Sequence, residues 1–156
     1  MNKPIQPCLW FDNQAEEAAL FYTSLFPNSK IKHISRYGKE GHEIHGQPKG
    51  RVLTVEFVIN GQPYTALNGG PVFKFNEAIS LQVFCDTQEE LDFYWEKLSQ
   101  EGEEGQCGWL KDRFGLSWQV VPTILAELMS NPEKAGRVTN AFMKMRKLDI
   151  EALKNA

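Results

Sequence analysis

His42 and His45 are separated by two residues, a spacing that one metal ion can use. The stretch Gly38–Gly50 around them is polar, glycine-bearing and contains Pro48. It therefore reads as a loop with two solvated histidines. His33 falls in a strand-like stretch and reads as a surface or satisfied core residue. Cys8, Cys85 and Cys107 form no CxxC and no disulfide framework. They read as reduced thiols of a cytoplasmic protein. A catalytic thiol needs a neighbouring base, and Cys8 has none visible in sequence. The acidic pairs Glu16-Glu17, Glu89-Glu90 and Glu103-Glu104 suit solvated helix starts or turns better than acid/base work. Lys111-Asp112-Arg113 reads as a structural turn of mixed charge.

The composition limits the function classes. The chain has 156 residues, 42% apolar and 24% charged, ordinary for one globular domain or two small modules. Net charge is −3 and the basic residues are scattered. A nucleic-acid groove would want a basic stripe. No apolar run approaches a membrane span or a signal peptide, so the expectation is a cytoplasmic protein without nucleic-acid or membrane partners.

The middle of the chain organises the rest. Tyr64–Asn68 is short and β-prone, Gly69-Gly70-Pro71 interrupts it, and Ile79–Cys85 resumes with period-2 alternation. Upstream, Ile5–Phe11 is a strand and Asn13 with Glu16 makes a capping box for a helix over Gln14–Leu25. Lys30–Tyr37 and Arg51–Ile59 are further strands. Asn60-Gly61 fits a type I′ hairpin turn into Gln62–Asn68. Downstream, Thr87 and Glu90 box a second helix carrying Leu91, Tyr94, Trp95 and Leu98. Short strands over Gln106–Lys111 and Ser117–Val121 flank the turn Asp112–Gly115. FDNQAEEAALFYTSL in the first half faces FCDTQEELDFYWEKL in the second, each after a strand. That is the mark of an internal repeat. Beyond Pro122 the apolar residues take helical spacing, predicting a tail that packs on the sheet or on a partner chain.

Three blocks, PCLWFDNQAEEAALFYTSLFP, ALNGGPVFKFNEAIS and CGWLKDRFGLSWQVVP, resemble the PhnB-like branch of the vicinal oxygen chelate superfamily. That superfamily includes glyoxalase I, the bleomycin-resistance proteins and the extradiol dioxygenases. Members of the branch often carry the label 3-demethylubiquinone-9 3-methyltransferase. The resemblance implies an α+β fold of two βαβββ modules forming open, curved, mixed sheets, with the site in their concavity. Module one would span about 4–70 and module two about 78–122, with a helical tail over about 123–156. The family also implies a homodimer. The methyltransferase label finds no support in the residues. Both strand-to-helix turns, Phe11–Gln14 and Cys85–Gln88, lack the glycines of the common cofactor-binding turn.

The superfamily's metal enzymes hold one divalent ion with His, Glu or Gln from the first and last strand of each module. By resemblance, Ser80 takes the place of a histidine ligand and Tyr64 that of a glutamate. Gln119, four residues after Gly115, takes the place of another glutamate. On the first strand the inward set is Gln6, Cys8 and Trp10, or else Pro7, Leu9 and Phe11. Neither offers a histidine. Serine is a poor neutral ligand and tyrosine would have to ionise. The expectation is therefore no metal and no cofactor. In Ile79–Cys85 the apolar set should face the helices, leaving Ser80, Gln82 and Phe84 toward the cavity. The candidate ligand-binding set is Cys8, Trp10, Tyr64, Asn68, Ser80, Gln82, Phe84, Trp109 and Gln119. Trp109 would sit at the rim, and Phe73-Lys74-Phe75 would cover one end. None of the polar members is a good base at pH 7, while the aromatic ones offer apolar surface. The set favours a metal-independent binding protein for a small molecule. The alternative is a glyoxalase-type lyase or isomerase acting on a small metabolite.

Overall fold

The computed structural model describes residues 5–156. The chain divides into two compact units, the first reaching to Lys74 and the second spanning Phe75–Ala156. In the first, β1 (Cys8–Phe11), α1 (Ala15–Leu25), β2 (Lys30–Arg36), a one-turn helix α2 (His42–His45), β3 (Val52–Ile59) and β4 (Gln62–Asn68) follow in order. The second has β5 (Leu81–Cys85), α3 (Gln88–Ser99), β6 (Glu103–Glu104), β7 (Trp109–Lys111) and β8 (Ser117–Pro122). Three tail helices follow: α4 (Ile124–Ser130), α5 (Pro132–Phe142) and α6 (Ile150–Lys154).

The sheet orders are β1-β4-β3-β2 and β5-β8-β7-β6. In each, the first and last strands of the unit pair in parallel and the others are antiparallel. The repeat seen in the letters is thus a repeat of topology, and the α+β architecture of two βαβββ units is the one expected. Each sheet buries one face under a helix. Ala15, Ala18, Ala19 and Tyr22 of α1 are fully buried, and the Tyr22 ring lies parallel to Phe57 of β3, centroids 6.4 Å apart. Leu91, Trp95 and Leu98 of α3 cover Val83, Cys85, Trp118 and Val120 in the same way. The type I′ turn is present, with positive φ at both Asn60 and Gly61 (46° and 84°).

Several local expectations need correction. The strand β1 is shorter than Ile5–Phe11, and Ile5 is 97% exposed. The acidic pair Glu103-Glu104 forms the short edge strand β6 rather than a turn. No side chain from Asn13 or Gln14 caps α1. Its first backbone N–H, on Ala15, donates instead to Oδ1 of Asn68 at the end of β4 (2.9 Å). The second cap forms at Thr87, whose Oγ1 accepts from the Glu90 N–H, while Glu90 accepts from the N–H of Asp86, one residue before the expected partner.

The tail stays within its own unit. Backbone N–H groups of Cys107 and Gly108 donate to the carbonyls of Met145 and Arg146 (both 2.8 Å). Gln88, on the first turn of α3, donates to the Leu148 carbonyl and accepts from the Ile150 N–H. Leu148, Ile150 and Leu153 are buried as a result.

Candidate functional site

Alternation along each strand decides which side chains can meet a ligand on the face away from the helix. In the first sheet, Leu9 and Phe11 are buried toward α1 while Cys8 is exposed and Trp10 half-buried. The parallel register pairs Cys8 with Thr65 and Trp10 with Leu67. Cys8, Trp10, Thr65 and Leu67 therefore share the open face. Tyr64, Ala66 and Asn68 point to the other side.

That placement turns two of the expected ligand residues away from the open face. Tyr64 lies over Phe57, ring centroids 5.5 Å apart, on the helix side of the sheet. Burial pushes its phenol pKa up, so it stays protonated. Asn68 is 2% exposed, and both ends of its amide are used. It caps α1 through Oδ1 and donates through Nδ2 to the Val52 carbonyl (3.1 Å). It holds the core rather than a ligand.

Cys8 stays on the open face, and desolvation by its neighbours raises its thiol pKa. It is therefore a poor nucleophile at neutral pH. Trp10 is fixed from two sides: its indole N–H donates to the Gly70 carbonyl (2.9 Å), and its ring meets Phe73 edge-on at 4.9 Å. Gly69 is glycine because a Cβ there would fall inside the Trp10 ring. Gly69→Ala is expected to cost about 1–3 kcal/mol through overpacking and to shift the Trp10 indole N–H resonance. An unchanged resonance would show that the indole does not rest on this glycine.

The histidine pair is not a metal site. Nδ1 of His45 accepts from the Gln47 N–H (2.9 Å), which places the ring proton on Nε2, 3.1 Å from the Glu40 carbonyl. Its ring lies against Tyr37, centroids 4.7 Å apart. Both nitrogens are occupied. Among the described residues no group of three His, Cys, Asp or Glu is placed to hold a metal ion.

The register also brings together a row that sequence reasoning missed. His33 pairs with Glu56, Glu56 with Thr65, and Thr65 with Cys8. The four side chains run across all four strands on one face. The strand β2 carries irregularities on both sides of the His33–Ser35 stretch, so its letters give no clean alternation.

In the second unit, Val83 and Cys85 face α3, and Ser80, Gln82 and Phe84 face away. The Cys85 thiol is pushed up to about 12, first by burial and then by Glu90 and Asp86, so it is a core residue. Gln82 pairs with Gln119, and Gln119 with Trp109, so these three share the open face with Phe84. Gln119 Nε2 donates to Ser80 Oγ at 2.8 Å. Gln82 Nε2 approaches Gln119 Oε1 at 3.5 Å. Phe84 is 60% exposed beside them.

These donors do not fit a divalent ion. At the strand positions where the resemblance puts His and Glu stand Ser80 and Gln119, bonded to each other. In the first unit Cys8 and Thr65 share the open face and Tyr64 has turned away. At these four positions, two hydroxyls, one amide and a thiol with a raised pKa stand in place of the imidazole and carboxylate donors that zinc or nickel prefers.

Residues 3–121 match the protein family described as 3-demethylubiquinone-9 3-methyltransferase. Among solved structures, a PhnB protein from Bacillus cereus is 37% identical over 78% of this chain and 100% of its own, with a TM-score of 0.69. Protein PA1353 from Pseudomonas aeruginosa is 18% identical over 78% of this chain and 98% of its own, with a TM-score of 0.61. The fosfomycin resistance protein FosX from Listeria monocytogenes, complexed with Mn(II) and sulfate, is 15% identical. It covers 83% of this chain and 97% of its own, with a TM-score of 0.53. The last two likenesses concern the fold. No curated protein matches the chain.

Proposed function

From the premise that this chain belongs to the 3-demethylubiquinone-9 3-methyltransferase family, in its PhnB-like form with the glyoxalase-type fold, we propose that it is a metal-independent binding protein for a small molecule. The observation that carries this reading is the Gln119–Ser80 hydrogen bond. At two positions where a metal enzyme of this fold would put ligands, two neutral side chains satisfy each other. With Gln82 they form a polar group flanked by Phe84 and Trp109, the mixture of few polar and much apolar surface that a small-molecule site uses. On the other sheet Cys8 and Trp10 offer comparable surface. The family's description does not extend to methyl transfer here, because neither strand-to-helix turn carries the glycines that cradle such a cofactor.

The test is a thermal-shift screen of metabolites and aromatic drugs, with and without divalent metal, and with turnover followed by mass spectrometry. A ligand that stabilises without metal and without being consumed supports binding. Gln119→Ala is expected to weaken such a ligand about 5–30-fold, the worth of one or two lost hydrogen bonds. A stabilising response that appears only with metal would overturn the reading. The family's pairing suggests a homodimer, to be checked by light scattering at micromolar concentration.

The row His33–Glu56–Thr65–Cys8 supports a second reading, a lyase or isomerase of the glyoxalase type. A carboxylate opposite an imidazole supplies the base that Ser80, Gln82 and Gln119 lack. Consumption of a hit that Glu56→Gln abolishes and Gln119→Ala spares would select this reading.

A further inference from the structure

At the edge of the second sheet, beyond Trp109, is a pocket of about 160 Å³ walled by Glu77, Glu103, Trp109, Lys111 and Ser117. A cavity near 150 Å³ holds a benzene ring. Glu103 pairs with Lys111 and Lys111 with Ser117, so the three form a row across β6, β7 and β8 on the open face. Trp109 lies two residues back on β7, on that same face. Glu104, Gly105 and Leu110 complete the lining; Glu104 pairs with Leu110, and its carboxylate is engaged by the Trp95 indole N–H.

Two observations mark this pocket as built for an oxyanion. First, a carboxylate already sits on Lys111: Oε1 of Glu77 lies 2.5 Å from Nζ. Their hydrogen bond lowers the Glu77 pKa and raises that of Lys111. Glu77 comes from the connector before β5, outside any helix or strand, and its side chain is largely exposed. Solvent screens such a pair, so it exchanges readily. Second, Ser117 is fully buried, and its Oγ has no hydrogen-bond partner among the described residues. Buried hydroxyls without a partner are uncommon, and this one stands directly across from Lys111. A lysine and a serine on adjacent strands give two donors for the two oxygens of one carboxylate, with an indole beside them for the rest of the molecule.

We propose that this pocket is a subsite for a small carboxylate with a ring-sized apolar body, and that Glu77 is its internal stand-in. An incoming carboxylate replaces Glu77 on Lys111 and accepts from Ser117, while its body lies along Trp109. The inference rests on the binding reading above and names its ligand class.

Benzoate is the probe, with benzamide and benzylamine as its neutral and cationic counterparts, titrated by NMR on the Trp109 indole N–H. Benzoate is expected to bind at least tenfold more tightly than either counterpart. Glu77→Gln is expected to tighten benzoate about 3–10-fold, because it removes the competitor. Lys111→Met is expected to weaken it at least tenfold. Ser117→Ala is expected to weaken it severalfold while raising the melting temperature, since it deletes a buried hydroxyl without a partner. Benzylamine binding more tightly than benzoate, or a Glu77→Gln protein that binds benzoate no better, would overturn the proposal. So would a lack of any benzoate response, which leaves Ser117 to a structural water. Failure of the two readings is distinguishable. A metabolite screen without any metal-free hit ends the binding reading. Hits confined to neutral or cationic molecules end only this one.

Discussion

Asp112→Ala is expected to destabilise the protein by about 3–6 kcal/mol, because hydrogen bonds to a buried carboxylate are worth roughly 1.5–3 kcal/mol each and their orphaned donors carry a further penalty. Asp112 is 2% exposed and closes the turn between β7 and β8. Its Oδ1 accepts from the backbone N–H groups of Phe114 and Leu116 (2.8 and 3.1 Å). Its Oδ2 accepts from the Trp118 indole N–H (2.8 Å). Alanine leaves all three donors without this acceptor, two of them buried. Asparagine is expected to recover little: its oxygen can serve the backbone pair, but its NH₂ then meets the indole N–H, donor against donor. Urea denaturation reads the loss directly. Heating should show it as a fall of roughly 6–24 °C, at about 2–4 °C per kcal/mol for a chain of this size. A loss under 1 kcal/mol would mean that the carboxylate does not hold this turn.

Asn68→Ala is the corresponding experiment in the first unit, with an expected cost of about 2–4 kcal/mol. The substitution removes the cap on Ala15 and the donor to the Val52 carbonyl together. It also separates two roles. A structural asparagine lowers the urea midpoint whether or not a ligand is present. A ligand-binding asparagine leaves the midpoint alone and shifts only the response to ligand. Asn68→Asp keeps an oxygen for the cap but turns a carboxylate toward the Val52 carbonyl, so it is expected to be no better than alanine at neutral pH.

These two residues also show where sequence reading runs out. Regular alternation made Leu81–Cys85 legible, and the structure puts Gln82 and Phe84 on one face as it requires, but Ile79, expected to face the helix, lies before β5 and is 63% exposed. The letters QPYTALN of β4 have no such contrast. Tyr64, Ala66 and Asn68 compete with Pro63, Thr65 and Leu67 as the buried set, and a one-residue shift exchanges the faces. Only the register with β1 and β3 resolves it. The cap of α1 is illegible for a different reason. Asn13 and Glu16 make a plausible local box, but the residue that caps the helix is 53 positions away. The strand β6 is two glutamates long, too short to show a period. The His33–Glu56 pairing depends on a strand irregularity, which no alternation rule anticipates. The repeat, by contrast, was readable because both halves place a strand, a helix start and an aromatic pair in the same order.

The Gln88 latch has a consequence for how the protein is made. Gln88 bonds to Leu148 and Ile150, 60 and 62 residues downstream. At about 5–20 residues per second on a ribosome, those partners are synthesised roughly 3–12 s after Gln88 itself. The first unit has a wait of the same order, since β1 is closed only by β4 and the α1 cap comes from Asn68, 53 residues after Ala15. For those seconds the second sheet stands without Leu148, Ile150 and Leu153 over it. That nascent stage, rather than the finished fold, is when the second unit's apolar surface is most open to aggregation.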